Sequence, residues 1–176
     1  MNAKDLAVIA VLLATGTILQ YLFSPLMLLL IPDVITAFFC LGIVLLRPKF
    51  SGALAIGFAG GFLSMLIPGS IFLWANLIAG PAGAYACYYF YELWRDRSRL
   101  APFFTTFSAT LVSGFVFVAI ATVFVYGTIL SRFGNFGNFV MAYLPIVIGT
   151  AVLNAVIVQV LVIIVSKVLL PEQLPA

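Results

Sequence analysis

Asp33, Asn76 and Asn154 are polar side chains set in otherwise apolar sequence, and their types suit the binding of a small charged solute. Asp33 follows Pro32 and precedes the apolar run 34–46. Proline fixes its own φ and disfavours helix in the residue before it, so a helix should begin just after Pro32. The Asp33 carboxylate then has two roles open to it. It can cap that helix by accepting backbone N–H bonds at the positive end of the dipole. It can also hold a cationic group of a ligand, and the two roles are compatible. Asn154 lies roughly nine residues into the last apolar segment, about 14 Å deep at 1.5 Å per residue, with Thr150 one turn before it on the same face. Asn76 stands near the outer end of another apolar segment, beside Trp74. An amide in apolar surroundings must find hydrogen bonds, so each either clamps two helices together or faces a cavity. Gln159, deeper in the last segment, falls under the same choice. One anion and two amides, with Phe38, Trp74, Phe139 and Tyr143 around them, suit a zwitterion with an apolar or aromatic body.

The elements that must position these groups are read from composition. Hydrophobic residues make up 65% of the 176 residues and charged residues only 7%. A soluble domain carries about a quarter charged residues, so the chain is expected to be an all-α integral membrane protein. No polar linker divides it, so residues 1–176 form a single domain. Apolar segments at about 3–23, 34–46, 51–67, 72–94, 102–130 and 144–170 predict six transmembrane helices. The first is long and lacks a small-residue cleavage site, so it reads as a helix and not as a leader. The second and third are short for a hydrocarbon core of about 30 Å. They either sit nearly upright in a thinned bilayer or have outer ends capped by loops. Gly80-Pro81 interrupts the fourth, as a packing kink or as a break beside a cavity. Residues 131–139 predict a loop, and Pro145 falls in the first turn of the last helix.

Six crossings put both termini on one side. That side carries Lys4, Arg47, Lys49, Arg95, Arg97, Arg99 and Lys167, against Arg132 alone on the other. Basic residues concentrate in cytoplasmic loops, so both termini are expected to be cytoplasmic. Asp33 is then the only acid on the outer side, close to the surface. The loop before it is unusually apolar, and Leu28, Leu29, Leu30 and Ile31 are read as a lid over an outward cavity or as a loop resting in the interface.

Several chemistries are excluded. There is no histidine, which removes His-based zinc sites, triads and proton relays. No P-loop occurs, and no nucleophile–base pair or acid dyad is visible, so no enzyme, metal site or cofactor is expected. Cys40 and Cys87 fall inside apolar runs and read as small core residues. In the first segment Ala3, Ala7, Ala10 and Ala14 recur at helical spacing. Such stripes let helices approach closely in lipid, either inside the bundle or as an exposed face for a partner. Ala53, Gly57 and Gly61 form a similar stripe in the third segment, read as internal packing.

With six helices, cytoplasmic termini and Ala10-Val11-Leu12-Leu13-Ala14 matching an A-x-x-x-A motif, the chain resembles the substrate-binding membrane subunits (S components) of energy-coupling factor, or ECF, vitamin transporters. Within that superfamily it is most similar to the bacterial tryptophan-transporter family. Pro32-Asp33, the block 37–43 ending in Gly-Ile, Asn76 followed by Pro81, Ser113-Gly114 and Val152-Leu153-Asn154 carry the likeness, which does not extend to residues 131–138. The resemblance implies an S-component-like bundle in a prokaryotic cell membrane that takes up tryptophan or another small aromatic or vitamin-like compound. It implies docking of Ala7, Ala10 and Ala14 on a T subunit, with two ATPase subunits supplying energy. It makes Asp33, Asn76, Asn154, Trp74, Phe38, Tyr143 and Thr150 substrate-binding candidates. The rival readings are a self-sufficient small membrane carrier, against which stands the expected lack of an acid at mid-depth, and a ligand-free structural subunit.

Overall fold

The computed structural model describes residues 1–24, 33–68 and 72–169, with the side chains of 23 and 166–169 left aside. The expected lid, Leu28 to Ile31, lies outside the described residues. Among those residues the fold is all-helical: α1 (Ala3–Phe23), α2 (Val34–Leu46), α3 (Phe50–Met65), a 3-10 turn (Leu73–Ala75), α4 (Asn76–Trp94), α5 (Ala101–Phe133) and α6 (Phe136–Leu169). α1, α5 and α6 are long and apolar enough to cross a membrane.

α2 is the post around which the others stand. It has 13 residues, about 20 Å at 1.5 Å per residue, and every side chain from Val34 to Val44 is buried. It touches α1, α3, α4, α5 and α6. A helix apolar on all sides has no face to offer water and belongs in a core. Its shortness is therefore met by central burial, with neighbours on every side.

α1 packs on α2 and, to a lesser extent, on α3. Ile9, Leu13, Gly16 and Gln20, spaced by four, three and four, form its buried face. The stripe of Ala3, Ala7, Ala10 and Ala14, about a third of a turn round the helix from that face, is exposed. At the N-terminus Asn2 and Asp5 cap the helix reciprocally, each side chain accepting the other's backbone N–H at 2.9 and 3.0 Å.

α3 and α4 meet at their backbones. A Cβ at Gly61 would overlap the Asn76 carbonyl, and one at Gly80 would overlap the Gly57 carbonyl. Small residues permit this approach, and a side chain at either position would hold the helices apart. α4 runs through Pro81 without a break, so Gly80-Pro81 is part of the crossing with α3 and not an interruption. What precedes α4 is irregular: Phe72 is extended and Leu73–Ala75 form the 3-10 turn.

The largest departure from the sequence expectation is at residues 131–139. The loop shrinks to Gly134-Asn135, and α6 starts at Phe136, so Pro145 lies inside it. The Gly-Asn residues are capping chemistry. Gly134, at φ 75°, closes α5 by donating its N–H to the Leu130 carbonyl at 2.8 Å. The Asn135 side chain then accepts from the Asn138 N–H at 2.8 Å, as an N-cap does. α5 and α6 have 33 and 34 residues, about 50 Å each, which exceeds a hydrocarbon core of about 30 Å. α5 is kinked at Val125.

Candidate functional site

The start of α2 is buried, and its backbone groups are satisfied by the Asp33 side chain and by side chains of α1 and α6. The Asp33 carboxylate accepts the Thr36 N–H at 3.2 Å and the Thr36 hydroxyl. The Ile35 N–H donates to Gln20 Oε1 of α1 at 3.0 Å. The Asp33 carbonyl accepts from Asn154 Nδ2 of α6 at 2.9 Å, and that amide also reaches the Thr110 hydroxyl of α5 at 3.3 Å. Amides at a helix start have no partner within the helix, and in an apolar bundle only side chains can supply one.

This arrangement fixes the level of Asp33. Asn154 lies 18 residues after Phe136 and 15 before Leu169, about 27 and 22 Å along α6. Its partner Thr110 lies nine residues, about 14 Å, from the start of α5. Asp33 therefore stands about 20 Å along α2 from the end that carries Arg47, Arg95, Arg97 and Arg99. This is the level where α1 and α3 end and α4 begins: Gln20 is three residues before the α1 end, Ser64 one before the α3 end, and Asn76 opens α4, while α5 and α6 run on past it. α6 begins eight residues earlier than its apolar run indicated, and α2 is buried along almost its whole length.

The Asp33 carboxylate faces a narrow cavity lined by Thr36 and Phe39 of α2, Gly61 and Ser64 of α3, Asn76 and Gly80 of α4, and Ser113 of α5. The open space has room for about one water molecule. Gly61 and Gly80 make one wall of bare backbone, the consequence of the α3–α4 crossing. Phe39 lies one and a half turns further along α2, between Gly60 and Gly83; a Cβ at those glycines would stand 3.0 and 3.3 Å from its ring. The ring closes the cavity toward the basic end. Among the described residues Asp33 is the only charged side chain in the lining. An acid facing hydroxyls and an amide, with no base or nucleophile pair, can bind and orient a cation-bearing solute.

Of the residues expected at a site, Asp33 and Asn76 line this cavity. Asn154 is fully buried behind it, holding the Asp33 carbonyl, with its own Oδ1 lacking a partner among the described residues. Thr150 is buried one turn away on α6. Phe38 is buried against α1, its Cβ 3.0 Å from where a Cβ on Gly16 would lie, and is absent from the lining. Trp74 is 63% exposed on the 3-10 turn. Tyr143 packs on Phe139, ring centroids 4.8 Å apart, in a cluster with Phe133 and Phe136 near the α5–α6 tip. Tyr143 lies 11 residues from Asn154 along α6, about 16 Å, so these aromatics pack the hairpin instead of surrounding Asp33. Gln159 is an interhelical clamp, accepting from the Phe103 N–H at 3.2 Å and donating to the Arg99 carbonyl at 3.3 Å.

Sequence reasoning overlooked Thr36, Phe39, Ser64 and Ser113 as lining residues. A signal existed for Ser113. Thr106, Thr110 and Ser113, spaced by four and three, form a buried hydroxyl stripe on an apolar helix.

No solved structure is significantly similar to this chain. A protein of Bacillus subtilis (strain 168) named probable tryptophan transport protein is 29% identical over 161 residues, which cover 89% of this chain and 87% of that protein. A family model described as tryptophan transporter TrpP matches residues 2–170. The match includes α1, the short buried α2 and the cavity-lining positions of α3, α4 and α5. The chain therefore belongs to the TrpP family of tryptophan transporters, membrane proteins built from transmembrane helices.

Proposed function

We propose that this chain binds tryptophan within the membrane and serves as the S component of an ECF-type uptake system. The observation that carries the reading is the Asp33 carboxylate, held at the head of a buried helix and facing a cavity between four helices. Its charge suits the α-ammonium of an amino acid, and a charge-assisted hydrogen bond is stronger in such dry surroundings. The family assignment supports tryptophan as the solute. Arg47, Arg95, Arg97 and Arg99 gather at one end of the bundle and Arg132 lies near the other, which supports cytoplasmic termini.

The exposed stripe of Ala7, Ala10 and Ala14 supports docking on a T subunit. α1 is a peripheral helix, and its outward face is smooth enough for another helix to approach. Two ATPase subunits would then energise uptake. The test is co-purification with T and ATPase subunits, together with calorimetric titration of the purified chain with tryptophan. Binding of tryptophan without complex formation would leave a tryptophan-binding protein and remove the ECF role.

A second reading is a self-sufficient carrier, since Asp33 is an ionisable group enclosed among the helices, as carriers need. Liposomes containing only this chain distinguish the two. Tryptophan counterflow into them would favour the carrier, and its absence the S component.

A further inference from the structure

We propose that the hydroxyls of Ser64 and Ser113, with the Asn76 amide, form a carboxylate-binding half-site. It would complete, with Asp33, a pocket for the head group of an α-amino acid. This rests on the reading that Asp33 takes the ammonium. Hydroxyls on apolar helices commonly turn back on their own backbone. Thr15, Thr17 and Thr122 do so, donating to the carbonyl four residues earlier at 2.7–2.8 Å. The Thr36 hydroxyl is committed to Asp33. The Thr105 and Thr106 hydroxyls also lack a partner among the described residues but are absent from the cavity lining, whereas Ser64, Ser113 and Asn76 line the cavity and none of their side chains makes a hydrogen bond among the described residues. Ser113 is 6% exposed, so its hydroxyl has little access to water. Ser64 and Asn76 are half-buried, so all three donors are free to turn to a ligand entering the cavity, and a bond to its charge is stronger than one between neutral groups.

The distribution of charge identifies the ligand chemistry. The acid stands on α2, while α3, α4 and α5 contribute only uncharged donors. A zwitterion matches the chemistry of both halves, entering a cavity that must widen from the room of about one water: its ammonium neutralises Asp33, and its carboxylate accepts from the hydroxyls and the amide. A simple acid would place its charge beside Asp33 with no cation to offset it. The close α3–α4 crossing brings Ser64 and Asn76 onto one cavity, and Gly83 lets Ser113 approach α4, since a Cβ there would stand 3.0 Å from the Ser113 Cβ.

The test is calorimetric titration of the full-length purified protein with tryptophan and with tryptamine, which lacks the carboxylate. The proteins are wild type, S64A, S113A and the double variant. Alanine is the better helix former, and ligand-free melting curves check that each variant folds. Hydrogen bonds to a charged group predict about a 10-fold loss of tryptophan affinity for each single variant and more for the double. Tryptamine affinity should change less than about twofold, because neither serine has a carboxylate to meet. Equal losses for both ligands, or wild-type tryptophan affinity in the double variant, would overturn the half-site while leaving tryptophan binding intact. A wild-type protein that binds no tryptophan would overturn the functional reading and this half-site with it.

Discussion

Asp33 caps α2 and is proposed to hold the ligand ammonium, and substitution separates the two roles. Its carboxylate caps α2 through the Thr36 N–H, and it faces the cavity. Asparagine is also a good N-cap, so Asp33→Asn should leave the melting temperature of the ligand-free protein almost unchanged. Loss of a charged hydrogen bond to the ammonium should weaken tryptophan binding about 10- to 150-fold. Indole-3-propionate, which has the carboxylate but no ammonium, should bind Asp33→Asn at least as well as wild type, because the repelling anion is gone. Titration of both ligands on both proteins decides the matter; unchanged tryptophan affinity would reduce Asp33 to a cap. Asn154 acts differently. Its amide holds the Asp33 carbonyl at 2.9 Å from a fully buried position, so Asn154→Ala removes a partner from a buried carbonyl. Chemical or thermal unfolding should show a loss of about 1–3 kcal/mol.

At the scale of elements, the cavity exists because α3 and α4 touch at Gly61 and Gly80. Gly61→Ala inserts a methyl into the space of the Asn76 carbonyl. Overpacking of this kind typically costs about 1–3 kcal/mol. Separation of the helices should also move Ser64 away from Asn76, so stability and tryptophan affinity are expected to fall together. Retained affinity in a destabilised protein would show that the cavity wall does not depend on the crossing. The α5–α6 hairpin gives the opposite expectation. Phe139 is fully buried among Phe133, Phe136 and Tyr143. Phe139→Ala should cost roughly 3–5 kcal/mol in stability with tryptophan affinity preserved. Loss of affinity at unchanged stability would bring this cluster back to the ligand.

At the scale of the whole molecule, the proposed binding site and the proposed docking face sit on different surfaces. The cavity is enclosed by α2, α3, α4 and α5, and the alanine stripe lies on the outward face of α1. Ala10→Trp or Ala14→Trp should therefore leave tryptophan binding intact while abolishing energised uptake and capture of T and ATPase subunits. Complex formation by these variants at the wild-type level would refute the docking face. The two surfaces are nevertheless joined. Gln20, on the buried side of α1, accepts the Ile35 N–H next to Asp33, so displacement of α1 bears directly on the head of α2.

Composition alone determined a membrane-spanning helical protein, because 65% apolar residues leave no polar surface for water. Local signals placed the α2 boundaries at 34 and 46, where Pro32-Asp33 starts the helix and Arg47-Pro48 ends it, and they marked Asp33 and Asn76. Those signals act within a few residues of themselves and so survive in a linear reading. The central burial of α2 was not legible, since its shortness reads the same in a thinned bilayer and in a core. The Gly-Asn repeat read as a loop because the residues that cap two abutting helices are the residues that build loops. The aromatics misled because nearly every segment carries them, and only packing decides which ring turns inward. Ser64 and Ser113 lie 49 residues apart in sequence. They meet at one cavity only after glycines on α3 and α4 allow backbone contact, a pairwise condition that neither helix encodes by itself.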